Sequence, residues 1–387
     1  MSLGIYIQVP FCQTKCTYCN FHTGVVSADK YAPYAGAVQK EIATFPNLYA
    51  ARGIRARHLD SEVVDTVYFG GGTPSLFDPA CLRDILEQIR ASFSCGWKEV
   101  TLEADPETVT PEKAAAWAAD GIDRISMGVQ SFSDLELKSS GRAHGREDVY
   151  RAAHIVRAAG IQNLSFDLII GLPHQTPEGW RNSLQELIAL DPQHVSIYML
   201  EVDEGSRLGR ELISLGTKYS APAVPSDDQM ADSYDLAREV LAAAGYGHYE
   251  ISNWAKPGRG SRHNLKYWRR EPYLGFGAGA HSFDGTTRWA NAHDSAEYVA
   301  AIASGVLPIE QTELVSDQQA HEEEMFLGLR QLAGINLDEM ESTYASSLRN
   351  KLASLESSGL IERNGSIVRL APDKLSISNE VLVELLG

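Results

Sequence analysis

Val63-Val64-Asp65-Thr66-Val67-Tyr68-Phe69-Gly70-Gly71-Gly72-Thr73-Pro74 decides the fold class of this chain. Residues 63–69 are apolar and β-rich, the composition of a buried strand. They run straight into a Gly-rich turn, and a helical pattern follows at 79–93. The same alternation extends in both directions. The spacing predicts strands at 4–9, 98–104, 122–129, 163–170 and 194–200. Between them it predicts helices at 28–45 (entered through Ser27), 111–119, 133–138, 147–159 and 178–190. Pro111 sits at a helix start, where its missing N–H costs nothing, and Gly160 reads as a C-cap. Six strands alternating with helices imply an α/β fold with a parallel sheet and right-handed crossovers. The expected architecture is a partial (open) parallel β/α barrel, with its site at the C-terminal ends of the strands.

Further along, 205–226 reads as a loop or insertion, 228–244 as a helix and 246–252 as strand-like. From Asp317 the character changes to helices at 317–332, 337–344 and 346–357. A hairpin follows at 360–370, where Asn364-Gly365 suits a type I′ turn. The expected domains are 1–285, core plus extension, and 286–387, a C-terminal helical, winged-helix-like domain. From Asp317 on there are 12 acidic and 6 basic residues, so the electrostatic footprint of DNA binding is missing and a structural or docking role is expected. The whole chain has 387 residues, 44% hydrophobic and 22% charged, an ordinary globular composition. Its net charge of −17 disfavours nucleic acid and anionic membranes. No apolar run approaches the roughly 20 residues of a membrane span. The first ten residues lack the basic region of a secretory signal, so a cytoplasmic protein is expected.

Five cysteines are present, and three of them, Cys12, Cys16 and Cys19, crowd into Cys12-Gln13-Thr14-Lys15-Cys16-Thr17-Tyr18-Cys19. An odd count with such crowding is no disulfide framework. Three thiolates suit an iron–sulfur cluster that keeps one iron open. Zinc, with His22 as a fourth ligand, is the competing reading. Cys81 and Cys95 read as core residues.

With C-x3-C-x2-C, an aromatic before the third cysteine and the Gly-Gly-Gly-Thr-Pro loop, the chain resembles the radical S-adenosylmethionine (SAM) enzymes. That resemblance implies a 4Fe-4S cluster on Cys12, Cys16 and Cys19, with SAM chelating the open iron. Residues 6–12, 68–75, 103–106, 126–132, 141–144 and 167–173 fit one branch. It holds the oxygen-independent coproporphyrinogen III dehydrogenases and the heme chaperones of the HemW group. The branch assigns SAM contacts to Tyr6, Gly71, Gly72, Thr73, Glu103, Gln130, Arg142 and Asp167. Glycine at a strand end lets backbone approach a ligand. The carboxylates and amide offer hydrogen bonds, and Arg142 offers a fork for a carboxylate.

Two functions remain open within the branch. One is oxidative decarboxylation of porphyrinogen propionates by a 5′-deoxyadenosyl radical, the coproporphyrinogen III oxidase reaction. The other is heme carriage. The dehydrogenases resemble each other in a fourth cysteine two residues after the third, and here that position is Phe21. The resemblance therefore favours a heme chaperone that lacks dehydrogenase activity, and it leaves SAM cleavage open. His263-Asn264-Leu265-Lys266-Tyr267-Trp268 resembles the chaperones' heme motif, which implies heme contacts from His263, Tyr267 and Trp268. A His nitrogen can ligate heme iron and aromatic rings can cover a macrocycle. His281 is a second candidate ligand. Arg259, Arg262, Lys266, Arg269 and Arg270 form a basic arc that could hold propionates. The implied partners are heme and heme-acceptor proteins, with transient contact to membrane respiratory proteins and a homodimer as further expectations. Residues 275–280, Gly-Phe-Gly-Ala-Gly-Ala, mimic a dinucleotide fingerprint but open no βαβ unit. Their small size is expected to permit close backbone packing instead.

Overall fold

In the first six strands, alternate residues differ in kind, and this sorts the sheet into an apolar face and a polar one. Ile5, Ile7, Val67, Phe69, Val100, Leu102, Ile125, Met127, Leu164 and Phe166 are all buried on one side. Tyr6, Gln8, Tyr68, Glu103, Ser126, Gln130 and Asp167 alternate with them along the same strands. Since strand side chains alternate faces, the first set is the core under the helices and the second lines the concave side. The computed structural model describes residues 2–51, 59 and 62–386.

The strands are β1 Ser2–Val9, β2 Val63–Gly71, β3 Cys95–Ala104, β4 Arg124–Gln130, β5 Asn163–Ile170 and β6 His194–Met199. They continue with β7 Gly247–Glu250, β8 Asn253–Ala255, β9 Tyr273–Phe276, β10 His281–Phe283, β11 Thr287–Asn291 and β12 Ile309–Leu314. One twelve-stranded sheet joins them in the order β12-β11-β10-β9-β1-β2-β3-β4-β5-β6-β8-β7. Strands β1 to β6 run parallel to one another and β9 runs parallel to β1, whereas β8 pairs antiparallel with β6. The sheet curves but does not close, as the alternating pattern implied. The intervening helices are α1 Tyr31–Ala51, α2 Pro79–Ser92, α3 Pro111–Asp120, α4 Asp134–Ser139, α5 Arg146–Ala158 and α6 Pro177–Ala189. The expected entry through Ser27 does not hold, since Ser27 makes no capping hydrogen bond and α1 begins at Tyr31 after a 3-10 turn, whereas the start of α3 and the end of α5 match the sequence signals. Thr110 accepts from the Lys113 amide with Pro111 next to it, and Gly160 adopts φ +99 after α5.

The second half departs more from expectation. The 205–226 stretch is not a plain loop. It contains α7 Arg207–Ile213, capped by Ser206, and a 3-10 helix Lys218–Ala223. After α8 Asp227–Ala243, the strand-like 246–252 run carries only β7, and the chain then turns back into the antiparallel β8 at 253–255. The heme-motif residues form α9 Arg262–Trp268, and α10 Ser295–Ala303 links β11 to β12. The expected division at 285/286 falls between β10 and β11, which are hydrogen-bonded neighbours in the sheet. Architecture changes at α11 Asp317–Arg330 instead. A small second sheet, β13 Ile335–Asn336, β14 Ile361–Asn364 and β15 Ile367–Leu370, packs there with α12 Ser342–Ser347, α13 Arg349–Ser357 and α14 Ser378–Leu386. The β14–β15 loop is Gly365-Ser366, and only Gly365 takes a positive φ. A type I′ turn needs positive φ at both central residues, so that turn does not form. Among the described residues no helix is long and apolar enough to cross a membrane.

Candidate active site at the barrel mouth

The concave face offers a polar surface at the C-terminal ends of β1 to β5. Glu103 is its centre. One carboxylate oxygen accepts from Tyr68 Oη at 2.9 Å and the other from the Gly71 amide at 3.0 Å. Burial, with a lesser push from the Asp167 charge, raises its pKa to about 7 against those hydrogen bonds. Asp167 is likewise raised by burial and accepts from Ser126 Oγ at 3.2 Å. Gln130 ends β4 at φ +65, where the strand register slips between Met127 and Gln130. A non-glycine residue in that region stores strain, which is common where a side chain must be aimed. Tyr6, next to Tyr68 in the sheet, stacks on it with ring centroids 5.9 Å apart.

The cysteine loop leaves β1 at this same end. Thr17 N donates to Ser140 O at 3.0 Å and Leu208 N donates to Thr17 O at 2.8 Å. The loop is thus clamped between the residues before Arg142 and the start of α7. Arg142 is fully used: it bonds Asp105, donates to Gly128 O at 2.8 Å, and points Nη1 at Cys16 Sγ, 3.6 Å away. The expected carboxylate fork is therefore held by Asp105 and faces a cysteine. Thr73 Oγ1 donates to the other Asp105 oxygen at 3.0 Å. His144 sits below, with Nδ1 3.4 Å from Glu107 and Nε2 3.0 Å from Val129 O. Sequence reasoning gave Asp105 no role, although it lies two residues after Glu103 on the same face of the strand. That period-2 relation was the available signal.

The residues fit a cluster with a small ligand beside it. Thr23 Oγ1 is buried, and its side-chain hydrogen bonds are to the cysteine sulfurs. It lies beside Cys12 and Cys19, where a hydroxyl favours thiolates. Burial raises both thiol pKa values, so metal loading must release protons. Gly72 lets the Gly-rich turn pack directly on the start of the cysteine loop, since a Cβ there would stand 2.5 Å from Phe11 O. Cys81 packs against the core, as expected, whereas Cys95 is exposed, contrary to expectation.

The heme-motif residues lie elsewhere. α9 plugs the opposite, N-terminal end of the barrel. The amides of Arg262 and His263 donate to Glu99 at 3.1 and 3.0 Å. His263 is buried, with Nδ1 2.9 Å from Thr66 Oγ1 and Nε2 2.8 Å from Tyr267 Oη. Burial, then the Lys266 charge, lowers its pKa to about 3, so the ring is neutral. Trp268 turns away from it towards α11, with the Arg330 guanidinium over its ring at 4.8 Å. The expected heme ligand is thus a floor residue with both nitrogens engaged, and an approach to iron would break one of those bonds. Two of the five residues of the basic arc are already paired. Lys266 pairs with Asp65 at 2.9 Å and Glu271 at 3.1 Å, and Arg270 pairs with Glu323 at 2.7 Å. Arg259 and Arg262 line a separate cavity of about 240 Å³ with Lys98, Glu99 and Asp123.

Residues 6–187 match the model of the radical SAM superfamily, and 315–373 match the HemN C-terminal domain. The heme chaperone HemW of Bacillus subtilis is 34% identical over 388 residues, covering 99% of this chain and 98% of that protein. This chain belongs to the HemW family of radical SAM proteins. The heme chaperone HemW of Escherichia coli is 35% identical over 280 residues, 72% of this chain and 69% of that one. Among solved structures, coproporphyrinogen III oxidase (HemN) from Escherichia coli superposes with a TM-score of 0.83 at 20% identity, covering 99% of this chain and 90% of that chain. At that identity the likeness concerns the fold. Membership of HemW and the radical SAM superfamily implies a 4Fe-4S cluster and SAM, and the mouth just described is the part of the chain with residues to hold them.

Proposed function

We propose that this chain is a heme chaperone that binds heme and passes it to acceptor proteins. One observation carries the reading: the end-to-end match to heme chaperones named HemW. Phe21 supports it, since it occupies the position of the extra cysteine expected of the dehydrogenases and is 65% exposed. An apolar ring at that place offers surface to a flat apolar ligand and no thiol.

Cys12, Cys16 and Cys19 hold the cluster, with Thr23 and Arg142 beside the sulfurs. When bound, a 4Fe-4S cluster with SAM supplies one-electron chemistry. Gly71, Gly72 and Thr73 receive the amino-acid part of SAM along exposed backbone. Glu103, Gln130 and Asp167 accept hydrogen bonds from its amino and ribose groups, and Tyr6 walls the site. Arg142 acts through its bond to Asp105, fixing the strand end and the cysteine loop together. A cytoplasmic location, membrane respiratory acceptors and a homodimer complete the reading.

The test is anaerobic reconstitution followed by parallel assays on one sample. Heme should bind stoichiometrically, and coproporphyrinogen III should persist. Conversion of coproporphyrinogen III to protoporphyrinogen IX, without retention of heme, would return the chain to the oxidase reading.

A further inference from the structure

If heme binds, its iron needs a ligand, and the histidines differ sharply in what they can offer. Three are enclosed with both ring nitrogens engaged: His144, His194 and His263. His248 stacks flat on Trp254 at 4.0 Å and bonds Ile251 O. His154 and His174 are exposed singly, and His321 stacks on Tyr344 in the C-terminal part.

His22, His281 and His293 behave differently, because the fold gathers them at the mouth. His22 lies three residues beyond Cys19 and its ring is 4.3 Å from that of His293, tilted by 37°. His293 follows β11, and its Nδ1 is buried without a hydrogen-bond partner. His281 opens β10 at the surface. Partial burial, then the neighbouring His293, lowers its pKa. The glycine run at 275–280 explains how these rings come close. A Cβ on Gly279 would stand 3.0 Å from His293 Nδ1, and the residue adopts φ +72. Glycine at 279 therefore makes room for an imidazole whose nitrogen is left unused, a combination that packing alone does not require.

The surroundings suit an amphiphilic macrocycle. Phe21 is 65% exposed and Val25 is 59% exposed on either side of His22 in sequence. Lys15 Nζ stands 3.4 Å from Phe21 O and brings a positive charge to that apolar edge.

We propose that His22 is the iron ligand for heme at the barrel mouth, with His293 seated against it as a positioning residue and Lys15 beside the propionates. This rests on the heme-chaperone reading and names the site at which that reading operates. His22 ligates through an imidazole nitrogen. His293 holds the ring by tilted ring-to-ring contact, and Gly279 gives His293 its seat.

The experiment is hemin titration of the reconstituted full chain, read by absorption and electron paramagnetic resonance, with cluster iron and sulfide counted in the same samples. His22→Ala should shift the Soret band and weaken binding at least tenfold with the cluster intact. His293→Ala should weaken it several-fold with a smaller spectral change, and added imidazole should restore the His22→Ala spectrum towards the parent's. His263→Gln, checked by thermal melting, should keep the parent spectrum. Parent-like spectra and affinity in the His22→Ala/His293→Ala double variant overturn the site while leaving heme carriage standing. A spectral change confined to His263→Gln overturns it in favour of the floor. A parent protein that takes up no hemin overturns the chaperone reading and this site with it.

Discussion

The two ends of the barrel are built from the same polar face of the same strands, yet they are finished in opposite ways. At the floor, α9 closes the opening and pairs its groups internally: Lys266 with Asp65 and Glu271, His263 with Thr66 and Tyr267, two amides with Glu99. At the mouth, His293 Nδ1 has no hydrogen-bond partner, Gln130 is strained, and Phe21 and Val25 face solvent. Buried polar groups are ordinarily satisfied. The mouth thus holds a ring nitrogen open to a ligand, whereas the named pairs at the floor serve stability, although Trp268 Nε1 and Arg124 Nε there also lack partners.

The comparison can be broken most severely at the cysteines. Cys12→Ala, Cys16→Ala and Cys19→Ala should each abolish the iron, sulfide and visible absorption of the reconstituted protein, while Cys81→Ala leaves them intact. Retained zinc without an iron chromophore in the parent would mean that the mouth is a structural metal site.

The next largest effect belongs to the floor. Lys266→Met leaves the Asp65 carboxylate without its main partner. Breaking a buried pair typically costs about 3–5 kcal/mol, to be read by urea unfolding. Unchanged stability would show that the floor pairing has no structural role. Cluster content at low temperature should not change.

A smaller effect concerns pH. Glu103 has a folded pKa of about 7 against a reference of 4.5. Its carboxyl is protonated in both states below 4.5. As pH rises towards 7 the unfolded chain ionises first, so the folded state loses stability across that window and the loss levels off above it. Glu103→Gln should flatten this part of the stability–pH curve, measured by denaturant titration at several pH values. An unaltered curve would mean that Glu103 ionises freely.

The smallest effect is expected at the outer floor. Arg259→Glu and Arg262→Glu should change hemin affinity by less than about 1 kcal/mol, the range of exposed ion pairs. A larger loss would draw the heme towards the floor cavity and away from the mouth.

Much of this was legible in the sequence because local signals agreed with the global fold. The six parallel strands, the capped helices between them and the open barrel all follow from alternation, Pro at helix starts and Gly at helix ends. The cysteine triad was legible for the same reason, since its ligands are neighbours in sequence. What stayed hidden depends on long-range contact. Thr23 and Asp105 matter only because the chain folds beside Cys12 and Arg142. β9 to β12 are three to six residues long and lack a period. His263 looked like a ligand because a histidine beside two aromatics reads alike whether it faces solvent or a barrel floor. Only its pairing with Thr66, 197 positions away, separates the two.

The position of β1 governs the order in which the protein can be completed. Its one neighbour is β2, but the other is β9, with Gly4 paired to Tyr273. A ribosome adding about 5–20 residues per second takes roughly 10 to 40 seconds to pass from the first partner to the second. Throughout that interval β1 offers a free edge, and the loop that carries Cys12, Cys16 and Cys19 hangs from a strand held on one side only. The cysteines are thus among the first residues made and among the last to be fixed. Cluster insertion is timed by the second half of the chain, and a nascent protein stalled before β9 would present iron-binding thiols on an unfinished sheet.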